Sequence, residues 1–216
     1  MLRVIDPRQA GDEEVVGVGS NLDPQTLRWA YRRGIFPWPM DGLPLLWFCP
    51  PMRAVLAFDN LHIPRRLARL RRHSPYTFTL DAAFDRVVDA CRQSVRPGQG
   101  GTWITPALQA AFAQFHQTGD AHSVEAWDEH GVLVGGLYGV ASGGAFGGES
   151  MFHIAPNASK LALLFLIDHL QAQGVAWMDI QMMTPHMEAL GAALVPRDAF
   201  LDWLEDAQAR GPLRFN

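Results

Sequence analysis

Apolar residues recur along the chain with two periods, one helical and one of two residues, and the switches between them mark out its elements. Over residues 63–73, Ile63, Leu67 and Leu70 share one side of a helix. Arg65, Arg69 and Arg72 share the opposite side, flanked by His62, Arg66 and His73. Further helices are predicted over 82–93, 106–118 (between Thr105 and Gly119), 158–172, 185–190 and 198–208. Strands are predicted over 76–80, 122–128, 132–140, 143–149 and 175–181, with a turn at Glu129-His130-Gly131. The first sixty residues read differently. One short helix opens with Asp23 as N-cap and Pro24 in its first turn and closes at Gly34. The following GIFPWPMDGLPLLWFCPPMR is too rich in proline for a long helix. The order of elements predicts an α+β protein: a small N-terminal domain over residues 1–60, then a larger domain over 61–216 with a mixed sheet flanked by helices.

Composition narrows the class. With 48% hydrophobic and 19% charged residues among 216, the chain has the makeup of a globular protein and not of a disordered or fibrous one. Its two cysteines, Cys49 and Cys91, stand in unrelated contexts, which excludes a disulfide scaffold. The eight histidines show no metal-ligand spacing, so no metal is expected. The opening MLRVIDPRQAGDEE has no apolar signal core, and no apolar run reaches membrane-spanning length, so a cytoplasmic location is expected. A net charge of −4 argues against a protein that coats nucleic acid indiscriminately. Of the 18 basic residues, however, only Lys160 is lysine, and residues 60–80 contain no acid at all. The Arg face of 63–73 is therefore either a solvated helix surface or a local grip on phosphates.

Three further features bear on chemistry. Gly135, Gly136, Gly139, Gly143, Gly144, Gly147 and Gly148 crowd two predicted strands, marking either bulges and tight corners or close approach of a ligand. In the strand 175–181, alternation places Trp177, Asp179 and Gln181 on one face and Ala176, Met178 and Ile180 on the other. A carboxylate and an amide two residues apart in an apolar strand are costly to bury, whether they serve a structural hydrogen bond or a reaction. Glu149, after the glycine-rich strand, poses the same question. Gln171–Ala176 matches the pyrophosphate loop of CoA-dependent acyltransferases, but it ends a helix and enters a strand, the reverse of the context an anion site needs. Ser150 with His153 or His186 lacks the G-x-S-x-G elbow of a hydrolase.

Eight strings in order, AYRRGIFPW (30–38), LLWFCPPMRAVL (45–56), GTWITPAL (101–108), DAHSVEAW (120–127), LVGGLYGVA (133–141), FGGESMF (146–152), PNASKLAL (156–163) and DIQMMTPHMEALGA (179–192), resemble the leucyl/phenylalanyl-tRNA–protein transferase family. The resemblance implies a larger domain like that of N-acetyltransferases. It also implies cofactor-free transfer of Leu, Phe or, less readily, Met from aminoacyl-tRNA to the α-amino group of proteins beginning with Arg or Lys, marking them for degradation. By motif match, the catalytic acid and amide fall on Asp179 and Gln181, and the substrate-binding glutamate on Glu149. The aminoacyl pocket falls on Leu137, Phe146, Met151 and Leu163. Trp47 and Trp103 fall near the tRNA 3′ end, and Arg65, Arg66, Arg69 and Arg72 would hold its backbone. A monomer is expected. An aminoacyl ester is already activated, so alignment and a free amine suffice without metal or ATP.

The chain departs from the family pattern at Pro50-Pro51-Met52-Arg53, where a carboxylate is missing, and at His153-Ile154. A third departure is Ile180, where the family commonly has Cys; alternation turns this residue away from Asp179 and Gln181. A CoA-dependent N-acyltransferase and a non-catalytic tRNA-binding protein are the competing readings.

Overall fold

The computed structural model describes residues 2–94 and 102–215, so Gly101 of the GTWITPAL string lies outside the described residues. The proline- and aromatic-rich beginning folds into strands the periodicity did not reveal. These are β1 (Arg3–Val4), β2 (Val15–Val18), β3 (Phe36–Trp38) and β4 (Leu46–Phe48), in the antiparallel order β1-β2-β4-β3. Each is too short to show alternation. Pro37 is tolerated because β3 is an edge strand. The helix α1 (Pro24–Tyr31) starts as expected, with the Asp23 carboxylate accepting the Thr26 backbone N–H at 2.7 Å.

The remaining elements are β5 (Met52–Ala57), α2 (Arg65–Arg72), β6 (Thr77–Leu80), α3 (Phe84–Gln93), α4 (Pro106–Gln117), β7 (Ala121–Trp127), β8 (Leu133–Ser142), β9 (Ala145–His153), α5 (Ala158–Gln171), β10 (Trp177–Gln181), α6 (Pro185–Ala189), β11 (Ala193–Pro196) and α7 (Arg197–Ala209). Seven strands form one mixed sheet in the order β11-β5-β10-β9-β8-β7-β6, parallel only between β9 and β10. The fold is α+β, a small N-terminal unit beside a larger sheet domain. Residues 52–57 lie before the change of texture at residue 60, yet as β5 they sit inside the larger sheet. Four successive buried residues, Arg53–Leu56, hide β5 from an alternation test.

The sheet is covered on both sides. The helix α5 is apolar nearly all round and packs across β7, β8 and β9. Gly135 permits that contact, since a Cβ there would come within 2.6 Å of the Ala158 Cβ. Helices α3 and α4 cover the other face, where Val87, Phe112 and Tyr138 belong to one core. Arg197, almost wholly buried at the start of α7, donates to the carbonyls of Pro7, Gly11, Glu13 and Pro50 and so fastens the N-terminal segment. Among the described residues no helix is long and apolar enough to cross a membrane.

Candidate active site

The two parallel strands at the centre of the sheet are in register at a single pair, Asp179 with Gly147. Beyond that pair each strand carries one residue too many. The β8 register passes from Gly139–Gly148 to Tyr138–Ser150, leaving Glu149 as the extra residue of β9. The β5 register passes from Val55–Asp179 to Ala54–Gln181, leaving Ile180 as the extra residue of β10. Such bulges bend a strand and re-aim its side chains. Gln181 adopts a left-handed conformation with φ 61°, a strained state for a residue with a side chain. A cavity of about 300 Å³ is lined by residues of both strands, Glu149 and Met151 from β9 and Met178 and Ile180 from β10 among them.

Asp179 is clamped. Arg53 donates to it twice, from Nε to Oδ1 at 2.8 Å and from Nη2 to Oδ2 at 2.7 Å, and the Gln181 backbone N–H donates to Oδ1 at 2.8 Å. Arg53 is 1% exposed, donates from Nη1 to the Gly34 carbonyl at 3.0 Å, and lies between the rings of Phe36 and Phe200. An ion pair so buried is held together by its hydrogen bonds, since unpaired charge there is prohibitive. The sequence singled out Asp179 but gave Arg53 no role. Its one signal was a lone charge opening the apolar run Ala54–Phe58.

Glu149 faces Gln181, whose Nε2 donates to Oε1 at 2.5 Å. Desolvation by burial raises the Glu149 carboxyl from 4.5 to about 7; its polar neighbours Gln181 and Tyr31 pull the other way, and the Asp179 charge adds to the rise. The Tyr31 hydroxyl lies near this carboxyl but completes no hydrogen bond among the described residues. Burial and the Glu149 charge push that phenol well above its usual range.

Leu137, Met151 and Leu163 line the cavity. Phe146 does not. It is 1% exposed and packs on Phe215. Four of the eight methionines, Met151, Met178, Met182 and Met187, do line it. Unbranched thioethers make an adaptable wall. The cavity also takes in Ile180, Thr184 and His186. Ile180 is thus beside Glu149 and not turned away from the chemistry. Alternation separates it correctly from Asp179, but the bulge brings the Gln181 amide to Glu149, on the cavity wall.

Of the two tryptophans assigned to the tRNA end, Trp47 is fully buried and spends its Nε1 hydrogen on the Gly19 carbonyl at 2.8 Å, so it has no face for a base. Trp103 is half-buried and stacked on Trp38, with ring centroids 4.9 Å apart. On α2 the apolar side is buried at Leu67, while Arg65, Arg66, Arg69 and Arg72 are exposed and pair with no acid among the described residues. Arg71 differs: it leaves that face and pairs with Asp168 of α5.

Sequence spacing also missed a cluster. Asp81, His116 and His122 bring ligand-type atoms within 4.8 Å of one another. Each histidine is already engaged with protein. His116 Nδ1 donates to the Ala121 carbonyl at 2.8 Å, and His122 lies 2.7 Å from Asp81 through Nδ1 and 3.2 Å from the Gly119 carbonyl through Nε2. The trio reads as a brace between the start of β7 and the segment after β6.

Comparison with known proteins gives a consistent match. Residues 55–205 match the profile of a family described as leucyl/phenylalanyl-tRNA protein transferase, and residues 20–51 match that family's N-terminal domain. A protein of that name from Nitratidesulfovibrio vulgaris is 48% identical over 209 residues, covering 97% of this chain and 88% of its own length. Namesakes from Maridesulfovibrio salexigens (43%, 96% of this chain, 87% of its own) and Myxococcus xanthus (47%, 93% and 86%) are similar.

Proposed function

The chain belongs to the leucyl/phenylalanyl-tRNA–protein transferase family, and from that premise we propose that it moves Leu, Phe and less readily Met from aminoacyl-tRNA to proteins beginning with Arg or Lys. It is an aminoacyltransferase. The observation that carries the choice of substrate is the placing of Glu149, hydrogen-bonded to Gln181, in the wall of an apolar, methionine-rich cavity. Four deformable methionine side chains among branched apolar ones suit Leu, Met and Phe alike, and a pocket of this kind discriminates by size and shape.

In the transfer, the acceptor amine attacks the ester carbonyl. The new C–N bond replaces the ester C–O bond, and a proton passes from the amine to the departing 3′-oxygen of the tRNA. Glu149, with its carboxyl near neutrality, is matched to take the ammonium proton or to hold the amine for attack. The Gln181 side chain steadies Glu149 and presents its remaining amide hydrogen and carbonyl oxygen. Both Asp179 oxygens are occupied by Arg53 and the Gln181 backbone, which supports a positioning role for Asp179 over that of a base. Arg65, Arg66, Arg69 and Arg72 supply a sequence-blind grip on the tRNA backbone, and Trp103 stacks near its 3′ end. One chain holds the whole cavity, so a monomer suffices, acting where charged tRNA is found, in the cytoplasm. The membership of β5 favours ending the small N-terminal domain near residue 51.

The test is direct. Protein is incubated with Leu-tRNA and a peptide beginning with Arg, and the peptide is weighed by mass spectrometry. Added leucine is expected. Product formed only with acetyl-CoA points to a CoA-dependent acyltransferase, and tRNA binding without product to a non-catalytic binder; either overturns the proposal.

A further inference from the structure

Ile180 holds an unusual position. It is the extra residue of the β10 bulge, between the clamped Asp179 and the strained Gln181, and it lines the cavity beside Glu149 and Met178. The neighbours on either side have polar partners that fix the backbone: Asp179 is held by Arg53, and Gln181 by Asp179 and Glu149. The methionines of the same wall have flexible side chains that yield to a larger guest. Ile180 is β-branched, stiff at χ1, and carried between two residues whose polar partners hold them in place. It is therefore less able to move aside than the methionines of the same wall.

We infer that Ile180 is a specificity-determining residue, whose branched side chain sets the width of the aminoacyl cavity and thereby the balance between aliphatic and aromatic amino acids. The inference rests on the transferase reading above. Removing its outer carbons widens the cavity next to the reacting groups. A Leu side chain then leaves space unfilled, whereas the larger Phe ring regains contact. The discrimination attached to one or two carbons in an apolar pocket is about ten- to two-hundred-fold.

The experiment compares kcat/KM for Leu-tRNA and Phe-tRNA, with one Arg-initiated peptide as acceptor, for the wild type, Ile180→Val and Ile180→Ala. Wild-type transfer is read first; its absence sinks the transferase reading itself. With transfer present, the Phe/Leu ratio is expected to rise progressively, by about tenfold in Ile180→Ala, with the KM for the peptide unchanged. A residue that merely supports Gln181 would lower both rates in proportion. A ratio constant within twofold across the variants overturns the inference. If Ile180→Ala does not fold, Ile180→Val and the shape isomer Ile180→Leu decide by the same ratio.

Discussion

Arg53 and Asp179, 126 residues apart in sequence, form a two-pronged buried ion pair that joins β5 to β10 next to the Glu149–Gln181 contact. The pair is a constraint on position. Each Asp179 oxygen already accepts a hydrogen bond, and Asp179 fixes the Gln181 backbone, while Gln181 in turn reaches Glu149.

Arg53→Met is therefore expected to destabilise the protein by about 3–5 kcal/mol, because it leaves the Asp179 carboxylate buried and alone. The double variant Arg53→Met/Asp179→Leu should recover most of that loss, as measured by denaturant midpoint. Transfer activity should not return with it, since Gln181 has lost its anchor. Recovered activity in the double variant would refute the positioning role.

Glu149 makes a pH prediction. With its carboxyl at about 7, kcat/KM should climb as pH rises through about 7, because the ionised form is the one that can accept a proton or hold an amine. Glu149→Gln should lower the rate and abolish that limb. A limb that persists in Glu149→Gln belongs to another group.

Stability should show the same group with the opposite sense. The folded carboxyl holds its proton above the ordinary 4.5, so ionising it penalises the fold; the penalty develops between 4.5 and about 7 and is complete above that. Glu149→Gln should thus gain stability over the wild type at pH 8, by roughly 1–3 kcal/mol, and little at pH 4. Equal differences at the two pH values would argue against burial as the cause.

The α2 surface separates two kinds of arginine. Replacing Arg65, Arg69 and Arg72 with Ala should weaken tRNA binding and reduce the slope of log affinity against log salt by about 2–3. Arg71→Ala should leave the slope unchanged, as Arg71 is spent on Asp168. An unaltered slope in the triple variant identifies the face as merely solvated.

The two tryptophans should also part company. Trp47→Phe removes a buried hydrogen bond and some core volume, costing about 1–3 kcal/mol with little change in tRNA affinity. Trp103→Ala should weaken the aminoacyl-tRNA interaction with a smaller effect on stability. The reverse pattern would restore Trp47 to the tRNA end.

The sequence by itself determined what is periodic or local: the amphipathic Arg helix, the apolar α5, the Asp23 and Thr105 caps, and the meander of β7, β8 and β9. It also determined the family, through strings that include Asp179, Gln181 and Glu149. Tertiary structure alone decided the strands too short or too buried to alternate, β1 to β5 and β11, because hydrogen-bonded neighbours distant in sequence make them strands. It also decided the site's working parts. The Arg53 partner, the desolvation of Glu149, the burial of Trp47, the withdrawal of Phe146 from the cavity and the entry of Ile180 into it all depend on contacts between distant segments. A one-residue bulge reverses the facing that a period of two would assign, and a bulge is a property of two strands in register, which neither strand carries in its own sequence.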